Sequence, residues 1–214
     1  GFSALQAGAA GLPIPIAIIL LSRPVGHFVD RNGAGPLLAG APFVVGAGLY
    51  LLAQVPADGT FLANILPAMM IIAVGLGLFI APITTVALNA AGEERTGLAS
   101  AVNNTMARIA GLISVAMMGV LLTTGFTNHL LPRLSSIGLH DGEMANVIGE
   151  LQRLGAIIPP ETLDTSKANA FRFLIHEAFT NGFHNAVLYA ALCLCFAGLI
   201  GIFGLRKLTA TPDT

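Results

Sequence analysis

Residues 25–36 read "VGHFVDRNGAGP" and separate two long apolar runs in a chain that is otherwise poor in charge. Asp30 and Arg31 stand side by side there, with glycines at 26, 33 and 35 and a proline at 36. Gly33 suits a turn that needs a positive φ, and Pro36 suits the first turn of a following helix. A glycine such as Gly26 near a helix end lets a second backbone approach closely. An aspartate at that end can accept hydrogen bonds from the N-terminus of a neighbouring helix, where the helix dipole favours negative charge. The stretch therefore reads as a joint between two helices that can close in one conformation and open in another.

The flanking runs decide where those helices lie. The 214 residues are 55% hydrophobic and only 10% charged. Soluble domains carry about a quarter of their residues as Asp, Glu, Lys and Arg, so this chain cannot coat a globule with charge. It reads as an all-α integral membrane protein with the lipid bilayer as its first partner. The net charge of −1 gives no reason to expect nucleic acid. Cys193 and Cys195 sit two apart in an apolar run, on different faces of a helix, and read as buried thiols rather than a disulfide or metal pair.

About 20 apolar residues cross a bilayer core. Four spans are expected in 1–124, at approximately 4–23, 37–55, 64–88 and 98–122, and a fifth at 183–205, followed by a tail, 206–214. The runs lack the period-two alternation of barrel strands. Arg23 and Arg31 flank the first connection, Arg95 the third, and Arg206-Lys207 follow the last span, whereas the second connection holds Asp58 and no base. By the positive-inside rule, 25–36 and the C-terminus are cytoplasmic and the chain starts outside.

Residues 125–182 hold six of the eleven acids and would lie outside. Met144, Val147, Ile148, Leu151 and Leu154 recur at helical spacing after a candidate N-cap at Asp141. A second amphipathic stretch follows Ser166, with Ala170, Phe173, Leu174, Glu177 and Ala178, and Pro159-Pro160 separates the two. The expectation is an extracytoplasmic amphipathic helical hairpin that lies on the membrane or caps the bundle.

Inside the spans, Gly75, Gly77 and Pro82 are candidates for flexibility or close helix approach. In the fourth span, Ser100, Asn104, Arg108 and Gly111 fall on one helical face, while Leu98, Val102, Ile109, Ile113 and Ala116 take another. Lipid cannot satisfy polar groups, so this stripe should face protein or a wet cavity. Asn103 and Asn104 fit either interhelical hydrogen bonding or the lining of a substrate path. Arg108 is open in the same way: a cavity-facing cation, or a side chain snorkelling to the cytoplasmic edge. Thr96 is a candidate cap for this span, with Glu93 and Glu94 near its positive end. No Asp or Glu lies well inside any span. The five histidines are scattered without ligand spacing, and no nucleotide loop or hydrolytic triad is present, so no catalytic residue, metal or cofactor is expected.

The loop 25–36 resembles the signature cytoplasmic loop of the major facilitator superfamily, in the copy found in its C-terminal half. With "GFSALQAGAAGLPIPIAIIL" before it, and "LPAMMIIAVGLGLFIAPITTVALNA" and "ERTGLASAVNNTMARIAGLISVAMMGVLL" after it, residues 1–122 resemble the 14-helix drug:proton antiporter-2 family. The resemblance implies that these five spans are the last five of fourteen, part of the C-terminal half of a major-facilitator bundle and a fragment whose N-terminal half lies elsewhere in the protein. It further implies efflux of amphipathic small molecules by alternating access, driven by a proton gradient, with Gly26, Asp30, Arg31 and Gly33 as the gating loop. The family's loop usually continues with a base where this chain has Ala34-Gly35, which weakens any charge relay around Asp30. A fragment of this kind is not expected to transport by itself. The alternative from the residues is a small non-transporting five-span scaffold, which predicts a start codon close to Gly1.

Overall fold

The computed structural model describes residues 8, 11–56, 59–89, 95–134, 137, 139–160 and 162–208. All regular structure among these residues is helical: α1 (Pro13–Asn32), α2 (Gly35–Ala53), α3 (Leu66–Asn89), α4 (Thr96–Leu134), α5 (Asp141–Gly149) and α6 (Thr165–Leu208). A π-helical turn, Phe61–Ile65, leads into α3, and a 3-10 turn, Leu151–Ala156, follows α5. Among the described residues, four helical stretches are long and apolar enough to cross a membrane: Gly35–Ala53, Phe61–Val86, Thr96–Leu134 and Thr165–Gly204. The expected first span at 4–23 falls partly outside the described residues, and α1 carries the helix on through Arg23 to Asn32.

The described residues form two compact units, one within Gly1–Val55, Gly59–Gly111 and Leu188–Thr214, the other within Pro56–Asp58 and Leu112–Val187. In the first, α3 packs against both α1 and α2. The seams are lined with glycine because the backbones nearly touch. A Cβ on Gly48 would lie 2.8 Å from the Ile72 backbone nitrogen, and one on Gly77 3.3 Å from the Ala17 carbonyl oxygen. Where α6 meets α2, Gly198 lies against the Phe43 ring and Gly201 against the Leu38 carbonyl. Without a hydrophobic drive between helices in lipid, such close approach supplies the van der Waals contact that holds them together.

The second unit differs from the hairpin expected over 125–182. At 1.5 Å per residue, α4 and α6 are about 58 and 66 Å long, roughly twice a bilayer core. The expected spans at 98–122 and 183–205 are therefore parts of longer helices, and 125–134 and 165–182 are their continuations. Apolar residues persist at helical spacing there and give each helix a face to bury. Phe126, Leu130 and Leu134 of α4 pack with Phe171, Leu174, Ile175 and Ala178 of α6, and Val147 and Ile157 close the same core.

One cap also differs from the sequence reading, and another was not foreseen. The residue ahead of α5 is His140, not Asp141, and its N–H donates to the Glu143 carboxylate at 2.8 Å. Asp164 caps α6, accepting from the Lys167 N–H at 2.8 Å. Among the side chains, Cys193 is exposed and Cys195 half-buried rather than both buried, because Cys193 points to a face of α6 that nothing described covers.

Candidate functional site

The joint singled out from sequence is shorter and more helical than a loop. Val25–Asn32 continue α1, with Val25 buried and Val29 half-buried one turn on. Only Gly33 and Ala34 separate α1 from α2. Gly33 takes φ +75°, ψ 166°, and its N–H donates to the Val29 carbonyl at 2.8 Å, so the turn ends α1 and redirects the chain in one residue. A side chain is strained at that φ, which accounts for glycine at this position. Pro36 stands in the first turn of α2, where its missing N–H costs nothing.

The charges at the joint oppose one another with respect to α1. Arg31 lies in the last helical turn, where a cation complements the negative end of the dipole. Asp30 lies in the same turn, where an anion is unfavourable by up to about 1 kcal/mol. Both are exposed, and among the described residues the Asp30 carboxylate has no hydrogen-bond partner. Gly26 is exposed as well, and a Cβ there would meet nothing within 4 Å. The joint is thus built and its polar face is uncovered.

Gly75, Gly77 and Pro82, the flexibility candidates in α3, are all buried. Gly75 abuts Val45 of α2, and Gly77 abuts Leu21 and Ala17 of α1. In this conformation the two glycines are contact points of α3 with α2 and α1. Pro82 lacks the N–H that would serve the carbonyl four residues back. The hydroxyls of Thr84 and Thr85, one turn on, donate to the carbonyls of Ile80 and Ala81 at 2.8 and 3.0 Å.

The fourth-span stripe lies on the bare part of α4. Asn104, Arg108 and Gly111 are exposed, and Ser100 and Asn103 are half-buried. A Cβ on Gly111 would meet nothing within 4 Å. Among the described residues neither asparagine hydrogen-bonds to another helix, and Arg108 has no acidic partner. The apolar neighbours are equally bare, with Leu112 and Val115 each 74% exposed. One ridge of amides, a hydroxyl and a guanidinium is thus presented along some 16 Å of helix, and it can bind polar groups of either sign at its amides and anions at Arg108. Thr96 begins the helix, while Glu93 and Glu94 lie outside the described residues. No group of three metal-ligating side chains occurs among the described residues.

Sequence reading places Met144, Val147, Leu151 and Leu154 on one apolar face, and they line the interior of the second unit, but it misses the share of that interior supplied by α4 and the contact beside it. His129 of α4 places Nε2 3.3 Å from Glu177 Oε1 of α6. The Phe126, Leu130 and Leu134 spacing was the available signal that α4 continues past the apolar span.

No family model matches the chain. It is 29% identical over 210 residues to the multidrug resistance protein Stp of Mycobacterium tuberculosis, covering 94% of this chain and 38% of that protein. It is 25% identical to the tetracenomycin C resistance and export protein of Streptomyces glaucescens, over all of this chain and 39% of the relative. It is 24% identical to the MFS-type transporter YhcA of Bacillus subtilis, over 94% of this chain and 38% of that protein. Its homologues are major-facilitator drug-resistance transporters. Major-facilitator proteins are transporters, not enzymes. Together with the long apolar helices, the homology makes this an integral membrane protein. The chain spans about two fifths of the length of these major-facilitator relatives.

Proposed function

We propose that this chain is part of a proton-coupled drug exporter of the 14-helix antiporter type, working by alternating access in a bacterial inner membrane. The observation that carries the proposal is the joint at Gly33, where two continuous helices meet across two residues and present an uncovered carboxylate. An anion at the C-terminal end of its own helix is misplaced unless the N-terminus of another helix reaches it in one state. That second helix would belong to a part of the protein beyond these residues, which are similar to about two fifths of the relatives' length. Formation and loss of this contact would bias the rocking of one half on the other around a midplane path.

In this reading the α1–α2 joint and the C-terminus are cytoplasmic and the second unit is outside. The ridge of Ser100, Asn103, Asn104, Arg108 and Gly111 lines the path taken by amphipathic substrates, a reading supported by relatives named for multidrug resistance and for resistance and export. The proton gradient serves as the energy source, and no other cofactor is invoked.

The test is efflux from everted vesicles carrying the full gene product. A fluorescent amphipathic cation should accumulate only while an inward-acid gradient is imposed, and Asp30→Asn should slow it about tenfold at equal expression. Accumulation that ignores collapse of the gradient would rule out proton coupling. An undiminished rate in the Asp30 variant would remove the joint from the mechanism.

A further inference from the structure

In the second unit, α4 and α6 cross with their backbones in contact. A Cβ on Gly125 would lie 2.8 Å from the Gly182 Cα, and one on Gly182 2.6 Å from the Leu122 carbonyl oxygen. About one turn along each helix from this crossing, His129 faces Glu177. The imidazole is 13% exposed and the carboxylate 45%. At 3.3 Å the two are close enough to attract, yet Nε2 is fully buried and makes no hydrogen bond. A buried ring nitrogen without a partner is uncommon and costs stability.

We infer that His129 and Glu177 form a proton-operated latch between α4 and α6, open when the imidazole is neutral and closed when it is protonated. Histidine is the side chain whose ordinary titration falls between about pH 5 and 8. Adding a proton puts N–H groups on both ring nitrogens and a positive charge opposite the carboxylate. The contact can then close into a charge-assisted hydrogen bond, roughly twice as strong as a neutral one. The Gly125–Gly182 crossing is the fulcrum, since the backbones there have no side chains to compress.

The surrounding charges leave Glu177 as the acid that answers His129. On α4, Arg133 donates from Nη1 to the His129 carbonyl oxygen at 3.1 Å and adds positive charge on the same helix. On α6, Arg172 and His176 are exposed beside Glu177. On α5, Glu143 is bound by the Thr162 hydroxyl and the His140 N–H, and Glu150 pairs with Arg153 of the following turn at 2.9 Å. The sign follows from the charge: protonating the imidazole closes the latch, and losing that proton opens it. Its direction in the cell rests on the proposed function, in which this unit faces the proton-rich side. The contact itself does not depend on that reading.

The test reads the latch without transport. Spin labels on cysteines at Leu131 and Phe173, in the full gene product lacking Cys193 and Cys195, report the α4–α6 separation at pH 8 and pH 5.5. Acidification should shorten the distance and raise the closed-to-open ratio about tenfold. His129→Gln and Glu177→Gln should each abolish the change, and His129→Lys, charged at both values, should hold the short distance throughout. A wild-type distribution that ignores pH overturns the latch, as does a change that survives in His129→Gln. Failure of proton-driven efflux with the distance change intact would overturn the transport reading and leave the latch standing.

Discussion

Gly75 of α3 lies against Val45 of α2 so closely that a Cβ on the glycine would stand 2.8 Å from the valine backbone nitrogen and 2.6 Å from its Cγ2. Gly48 makes the reciprocal approach to Ile72 from the other helix. Gly75→Ala should therefore force the helices apart and destabilise the first unit by about 1–3 kcal/mol. Gly40→Ala on α2 meets nothing within 4 Å and should be neutral or mildly stabilising, since alanine is the better helix former. Thermal unfolding in detergent separates the two. Equal melting temperatures for both variants would mean that the seam can spread at no cost.

What the sequence made legible follows from which patterns carry a local signature. Gly33 could be read because a turn between helices needs a positive φ, and the backbone there has φ +75°. Pro36 could be read because proline fits the first turn of a helix. The lengths of α4 and α6 were not legible in the same way. Charge counting ended the spans near Leu122 and His184, whereas the helices run on because Phe126, Leu130 and Leu134 of α4 and Phe171, Leu174 and Ile175 of α6 keep an apolar face to bury. The His129–Glu177 contact was hidden for another reason, since 48 residues separate its partners and no local spacing brings them together.

Phe171 is fully buried in the core of the second unit, whereas Phe173 on the same helix is 71% exposed. Phe171→Ala removes a ring that the surroundings cannot replace and should cost about 3–5 kcal/mol. Phe173→Ala should change stability by no more than about 0.5 kcal/mol in detergent. Amide exchange of Phe126–Leu134 would read the difference. Comparable protection in both variants would show that α4 holds its helix here without the packing of α6.

Glu143 offers a pH dependence with a fixed sign. The Thr162 hydroxyl, the His140 N–H and the His140 imidazole hold its carboxyl below the ordinary 4.5, against a smaller opposing effect of burial. Since the folded state lowers the value, the stabilisation is complete above about pH 4.5 and is lost as pH falls through the lowered value. Amides of Asp141–Gly149 should then exchange faster, after correction for intrinsic rates, as pH drops below that range. In Glu143→Gln the corrected rates should be higher at neutral pH and nearly flat with acid. A wild-type profile that stays flat down to pH 3 would deny the carboxylate this role.

Arg108 is where the transport reading meets its sharpest mutational test. An ionised side chain within a span costs about 2.5–3.5 kcal/mol on insertion scales, so retaining one without a task there is unfavourable. If it lines the path with Ser100 and Asn104, Arg108→Ala should lower efflux about tenfold at equal expression, and Arg108→Lys should keep part of the rate by preserving the charge. Ile113→Ala, on the opposing apolar face of α4, should leave the rate within about twofold. The measurement is initial efflux velocity in everted vesicles, normalised to protein inserted. A rate for Arg108→Ala equal to that of the unsubstituted protein would place the guanidinium at the lipid–water boundary, as an anchor that sets the depth of α4 rather than a group that meets cargo.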